Sequence, residues 1–335
     1  MAVDFPKRVI HGGTGKLQRE KTHKMVLDFS ASVNPFPPKI EWNCDPSCLS
    51  GYPDDTYSEL KKRIGDVFCR DPEEICVGNG SVEIIRVFCQ VVLGHSSAPR
   101  RYYFDPPTFG EYELSAQLAG AKRTLKMEEA DVAFVCNPNN PTGILLPKTG
   151  LLTSLNTVKQ NNGILFLDEA FIGLSDPGES LSATRDPSLF ILHSLTKTFS
   201  VPGIRMGFGF GDPRLVEKIE TARSPWCVNA FAEAFAMQAL LHLDDLAASR
   251  AAIALERSRL ISGMTDLGLV CQPSSVNYIL VETKKDVGPL CSRLNENGIL
   301  VRDCTSFGLP SCIRVAVRTQ EENAQLLEAL AACVR

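Results

Sequence analysis

The feature that most restricts the fold of this chain is a series of short apolar runs, each ending in polar or glycine-rich residues. The runs are Ile75 to Val77, Tyr102 to Phe104, Val132 to Val135, Ile164 to Leu167, Phe190 to Leu192 and Met206 to Phe210. Their length and their content of β-branched and aromatic residues read as strands. Between them lie segments of helical spacing. Tyr57, Leu60, Ile64, Val67 and Phe68 form one such pattern, and Val82, Ile85 and Val92 are candidate inward positions of another. Strands that alternate with helices predict an α/β fold with a mostly parallel central sheet flanked by helices.

A break at Pro225 ends this pattern. A long helical stretch then runs from Ala230 to Leu243 and onward past Ala254. Val276 to Val281, Ile299 to Val301 and Ile313 to Val317 follow as strand-like runs, and Gln320 to Cys333 as a closing helix. That order predicts a smaller α+β domain over 226–335, after a large domain over 41–225. A chain of 335 residues is long enough for both. No internal repeat, low-complexity tract or long linker separates them.

In open α/β sheets, ligands bind at the carboxyl ends of the strands, so the residues that follow the apolar runs are the candidates for chemistry. After Leu189-Phe190-Ile191-Leu192 comes Ser194-Leu195-Thr196-Lys197, with Arg205 further on. A lysine desolvated among cationic groups loses its proton more readily and becomes a nucleophile. With hydroxyls and an arginine beside it, such a lysine suits a phosphorylated aldehyde. A surface loop with a solvated lysine is the bland alternative.

Other strand ends supply what that ligand would need. Phe166-Leu167-Asp168 delivers a carboxylate, fit to be the counter-charge of a protonated ring nitrogen, though Asp168 alone is equally a turn residue. Gly78-Asn79-Gly80-Ser81-Val82 opens a helix, whose free N–H groups suit a phosphate; taken singly, it is more often a tight turn. Asn137-Pro138-Asn139-Asn140-Pro141-Thr142-Gly143 must turn, since neither Asn-Pro step continues a helix, and it presents the Asn140 amide at the same edge.

Bulk properties exclude several classes. Net charge is −4 with both signs interspersed, so no nucleic-acid surface is indicated. The 5 histidines lack metal-site spacing, and none of the 12 cysteines forms a Cys-x-x-Cys pair, so no metal site is expected. Reduced, mostly buried thiols in a cytoplasmic protein are the expectation. The start, from Met1 to Arg8, lacks an apolar signal core, and no apolar run approaches membrane-spanning length.

Taken together and in this order, the motifs resemble the fold-type I pyridoxal-phosphate enzymes of the class I/II aminotransferase superfamily, essentially end to end. The resemblance implies that Lys197 carries pyridoxal 5'-phosphate covalently, that Asp168 pairs with its ring nitrogen and that Asn140 binds its ring hydroxyl. It places Gly80, Ser81, Val82, Ser194 and Arg205 around the phosphate. Phe109, in Pro106-Pro107-Thr108-Phe109-Gly110-Glu111-Tyr112, matches the aromatic that stacks on the ring. Tyr52, in Gly51-Tyr52-Pro53-Asp54, matches a tyrosine that reaches the phosphate of a neighbouring subunit, which implies a homodimer. The resemblance also puts 1–40 with the smaller domain.

Two branches of the superfamily compete. His11-Gly12-Gly13, Asp28-Phe29-Ser30-Ala31-Ser32-Val33-Asn34-Pro35 and the tail from Gly298 to Thr319 resemble the threonine-phosphate decarboxylases of cobalamin biosynthesis. Histidinol-phosphate aminotransferases share the core, but usually carry glycine in place of Arg318 and commonly tyrosine in place of Phe109 and Phe171. The chain departs from both at Pro53-Asp54-Asp55, where a second proline is usual. Arg314 matches the arginine that grips the substrate carboxylate. Arg302, Arg318, His11, Ser32, Asn34 and Asn277 are further candidates to bind a small amino-phosphate substrate, since arginine suits carboxylate and phosphate alike. Decarboxylation of threonine phosphate is the favoured reading, transamination the second. A non-catalytic binding protein of the same fold is the rival from another class.

Overall fold

The structure, a computed structural model, describes residues 5–22, 25–94 and 98–334. Its centre is a seven-stranded sheet in the order Ile75–Gly78, Gly207–Phe210, Leu189–Ser194, Ile164–Asp168, Val132–Cys136, Arg101–Phe104, Lys122–Arg123. Gly207–Phe210 runs antiparallel to both its neighbours, and the other pairs are parallel. The expected strands are all present. Lys122–Arg123 was not expected, because two exposed basic residues make no apolar run.

Each strand sends alternate side chains to opposite faces. Ile75, Val77, Ala133, Leu165, Leu167 and Ile191 pack on one side with the helices Ser58–Phe68 and Lys148–Lys159. Cys76, Val132, Phe134, Phe166, Phe190 and Leu192 pack on the other, under the helix Ser81–Leu93. That helix buries Ile84, Ile85, Val87, Phe88, Cys89 and Leu93. Of its expected inward positions, Ile85 is in the core and Val92 packs against it half-buried, while Val82 lines a cavity at the sheet edge. The Gly-Phe-Gly-Phe sequence of Gly207–Phe210 follows from the same alternation. Phe208 and Phe210 join the first face. On the second, a Cβ at Gly209 would lie 2.6 Å from the Phe190 ring, and one at Gly207 would lie 2.6 Å from the Ser81 nitrogen.

A second sheet, Arg302–Asp303, Cys312–Ala316, Tyr278–Glu282, Val270–Cys271, is antiparallel throughout. It packs with the helices Leu246–Asp266 and Gln320–Val334 around Ile279, Ile313, Leu260 and Leu326. Leu27–Asp28 pairs in parallel with Ile299–Leu300, and Phe29 is buried in this second core. The packing departs from the expected division at residue 225. Val228, Ala232, Phe235, Ala236, Leu240 and Leu246 belong to the core of the large sheet. The long helical stretch is also interrupted, with Ala230–Ala239 and Leu246–Asp266 flanking a tighter turn at Leu240–His242.

All 12 cysteines are free thiols. Half are buried, fewer than expected, and Cys48 and Cys69 are exposed. Among the described residues, no helix is long and apolar enough to cross a membrane.

Candidate active site

Because Val132–Cys136, Ile164–Asp168 and Leu189–Ser194 are parallel and adjacent, their carboxyl ends meet at one edge of the sheet. A cavity of about 760 Å³ lies there, and Lys197, Asp168 and Asn140 line it. Lys197 stands in the one-turn helix Leu195–Thr198, directly after its strand. Asp168 is the last residue of its own strand and 4% exposed.

The surroundings set the charges of both groups. Burial pushes the Lys197 ammonium down to about 8, and the positive charges of Arg314 and Arg205 push the same way, against Asp168. Burial raises the Asp168 carboxyl above its ordinary value. Hydrogen bonds from Tyr112 and from the Ala170 N–H, and the charge of Lys197, oppose that rise. Tyr112 Oη donates to Asp168 Oδ2 at 2.6 Å, and the Ala170 N–H donates to Oδ1 at 2.9 Å.

On one flank, Ser81 and Val82 open the helix Ser81–Leu93 and line the cavity together with Arg205. The first-turn N–H groups of a helix have no partner within it. Gly80 precedes them at φ +81°, and a Cβ there would lie 2.3 Å from Arg205 Nη2. Arg205 itself holds φ +62°, a left-handed conformation that costs a non-glycine residue about 1–2 kcal/mol. Ser194 is buried behind this flank, with its Oγ 2.8 Å from Thr196 Oγ1. An arginine, a helix N-terminus and hydroxyls without a Cβ between them make a cradle of the right chemistry for a phosphate.

On the other flank stand the residues expected to meet a substrate. Arg314 is 6% exposed, donates to Asn140 Oδ1 and to the Ser30 carbonyl, and leaves its Nε without a partner. Since Asn140 spends its oxygen on Arg314, its NH₂ group remains to donate. Arg318 lines the cavity but pairs with Glu322 at 2.7 Å. Arg302 lines it too, with its guanidinium given to the Ile10 and Asp303 carbonyls and to Ser306 Oγ. Ser32 lines it with an unpartnered, buried Oγ. His11 and Phe109 line it with ring centroids 5.9 Å apart.

Of the expected residues, Gly80 and Ser194 lie behind the lining, and Asn34, Asn277 and Tyr52 stand elsewhere. Asn34 and Asn277 are not among the lining residues. Asn34 donates to the Thr198 carbonyl and to Ser249 Oγ, and Asn277 donates to the Val33 carbonyl, so both amides brace backbone instead of facing a ligand. Tyr52 is 82% exposed and stacks on Trp226 with centroids 4.4 Å apart, outside the cavity of its own chain.

Sequence reasoning passed over Tyr112, Glu111 and Arg86. Glu111 is buried at the cavity wall, with His11 Nε2 at 2.8 Å and Arg86 Nη2 at 3.0 Å. The His11 contact first, then Arg86, hold its carboxyl below the usual range. The available signal was an acid and a tyrosine opening a helix just after a strand of the same sheet, Glu111–Leu118 after Arg101–Phe104.

The fold, with a lysine and an aspartate at the carboxyl edge of its mostly parallel sheet, is that of the fold-type I transferases. The chain belongs to the aminotransferase class I and II family, whose profile matches residues 44–330, and it is an enzyme. It is 33% identical over 330 residues, 90% of this chain and 88% of the other, to a protein of Caldanaerobacter subterraneus subsp. tengcongensis provisionally named threonine-phosphate decarboxylase. The histidinol-phosphate aminotransferase of Clostridium acetobutylicum superposes with TM-score 0.80 at 27% identity, covering 92% of this chain and 99% of that one. The histidinol-phosphate aminotransferase of Sinorhizobium meliloti, solved with pyridoxal-5'-phosphate, has the same fold at TM-score 0.81 and 20% identity, covering 96% and 94%. Family membership implies pyridoxal phosphate as the cofactor, and the cradle at Gly80 and the unpaired Arg314 Nε fit an anionic ligand.

Proposed function

We propose that this enzyme decarboxylates L-threonine O-3-phosphate to aminopropanol phosphate, a step of cobalamin biosynthesis, with pyridoxal phosphate held on Lys197. The observation that carries the reading is the charge of the cavity. Basic side chains far outnumber the three acids that line it, Asp28, Glu111 and Asp168, although the chain as a whole is acidic. One phosphate cradle does not need the unpaired Nε of Arg314 and the exposed Arg8 and Arg19 as well. A substrate with a carboxylate and a phosphate close together does. The name given to the Caldanaerobacter relative supports the same substrate.

When bound, the cofactor supplies an electron sink for the pair left as a bond to the substrate's α-carbon breaks. This chain's residues do the rest. Asp168 would provide a negative charge for the ring nitrogen, and Asn140 would donate to the ring hydroxyl. Ser81, Val82 and Arg205, backed by Ser194, would hold the phosphate, and Phe109 would pack against the ring. Arg314 would grip the α-carboxylate and so set its orientation in the cavity. Lys197 Nζ, with its pKa near 8, can accept a proton and return one to the α-carbon once carbon dioxide has left.

The reading includes a cytoplasmic homodimer. Free thiols throughout suit a reducing compartment, and the exposed Tyr52 is free to reach a neighbour's phosphate. Mixing Lys197→Ala and Tyr52→Phe chains tests the shared site, because activity that never exceeds either parent contradicts it.

Relatives named histidinol-phosphate aminotransferase favour transamination as the second reading. One assay separates the two. Carbon dioxide released from threonine phosphate without an amino acceptor supports decarboxylation. Glutamate formed from histidinol phosphate and 2-oxoglutarate co-substrate pairs, with no carbon dioxide from threonine phosphate, overturns it.

A further inference from the structure

We infer that Tyr112 is a positioning residue for the cofactor ring, acting through Asp168 at the ring's edge and through Phe109 at its face. The inference rests on the reading that the cavity holds pyridoxal phosphate. Tyr112 is fully buried. Its ring lies parallel to Phe134, with centroids 5.2 Å apart and planes 6° apart, and stands edge-on to Phe109 at 5.5 Å and 82°. Packed on both sides, the side chain has one place to put its hydroxyl, and that place is Asp168 Oδ2, 2.6 Å away.

The direction of this bond follows from the partners. An ionised carboxylate only accepts, so the phenol donates. Burial, then the charge of Asp168, hold the phenol well above its ordinary pKa, so it keeps the proton it donates. With the Ala170 N–H on Oδ1, each carboxylate oxygen is tied by one bond, and the group cannot rotate. Its remaining lone pairs are what the ring nitrogen can meet. Removing the Tyr112 hydroxyl takes away a donor that favours the charged carboxylate, while the burial that favours the neutral acid stays. A neutral Asp168 is no counter-ion, and a ring nitrogen beside it has no reason to hold its proton. The same tyrosine backs Phe109, so one residue registers both the edge and the face of the ring seat.

The test compares wild-type protein with Tyr112→Phe, which keeps the ring packing, and with Tyr112→His, which keeps an N–H donor. Two non-covalent probes are titrated by calorimetry: pyridoxine 5'-phosphate, which lacks the aldehyde, and its analogue with CH in place of the ring nitrogen. We expect Tyr112→Phe to weaken the nitrogen-containing probe about tenfold and the carbon analogue less than twofold. Tyr112→His should recover part of the loss. In turnover, kcat should fall about tenfold or more with KM within threefold, and adding Tyr112→Phe to Asp168→Asn should cost nothing further. Equal weakening of both probes, or multiplicative losses with Asp168→Asn, would assign Tyr112 to packing and overturn the inference. So would failure of both variants to fold. A wild-type protein that binds neither probe overturns the cofactor reading as well.

Discussion

Asp168 and Arg19 line the same cavity, yet they belong to regions built in opposite ways. Asp168 ends a central strand, is 4% exposed, and has each oxygen tied by a donor of fixed position. Arg19 sits on the exposed side of Gly15–Thr22 at the rim, near Arg8 and Lys16, on a long and flexible side chain. The floor therefore meets its ligand with groups already in place, and the rim meets it with charge. A preorganised group acts on the transition state. An exposed charge acts mainly on encounter and selection. Floor substitutions should lower kcat, and rim substitutions should lower kcat/KM by small, salt-sensitive amounts.

The sharpest contrast is Asp168→Asn. It conserves volume and removes the charge, so kcat should fall about 10²–10³-fold, roughly 3–4 kcal/mol of transition-state stabilisation, with the melting temperature nearly unchanged. A near-normal kcat would mean that another group serves the ring nitrogen. Arg314→Lys comes next. Losing the planar fork should cost about 10–100-fold in kcat/KM for threonine phosphate, the worth of one or two charged hydrogen bonds. A loss confined to kcat would place Arg314 with the floor instead of with substrate binding.

A smaller effect concerns pH. The Lys197 ammonium is shifted down to about 8, so below that pH it is protonated and not nucleophilic. Capture of pyridoxal phosphate by cofactor-free protein should speed up about fivefold from pH 7 to 8 and less than twofold from 8 to 9. A rate that still climbs nearly tenfold from pH 8 to 9 would show an unshifted lysine. The smallest effect belongs to the rim. Arg19→Glu should reduce kcat/KM by about two- to fivefold at low salt and leave kcat unchanged, and the difference should shrink as ionic strength rises. A salt-independent loss in kcat would erase the distinction between rim and floor.

The same contrast explains what was legible in the sequence. Lys197, Asp168 and Asn140 each follow an apolar run, and a polar residue there has no place but the sheet edge. The parallel sheet then brings together segments far apart in the chain. Tyr112 gave no such signal, because its hydroxyl meets a partner 56 positions away and its ring looks like any core aromatic. Arg302 looked like a ligand-binding arginine, but the carbonyls that take up its guanidinium are visible only in three dimensions. Asn34 and Asn277 failed for a related reason, since an amide that braces backbone and one that binds a ligand look alike in sequence. The segment from Val228 to Leu246 follows Pro225 and so reads as part of the smaller domain, whereas its apolar side chains fit the large core.

Everything assigned to the floor depends on its holding pyridoxal phosphate on one lysine at a strand end, Lys197. Reduction of the cofactor-loaded protein with borohydride, followed by peptide mass spectrometry, tests it directly. A single pyridoxyl-phosphate adduct on Lys197, absent from the Lys197→Ala protein, is expected. An adduct on a different lysine, or an unchanged yield of adduct in Lys197→Ala, would contradict it.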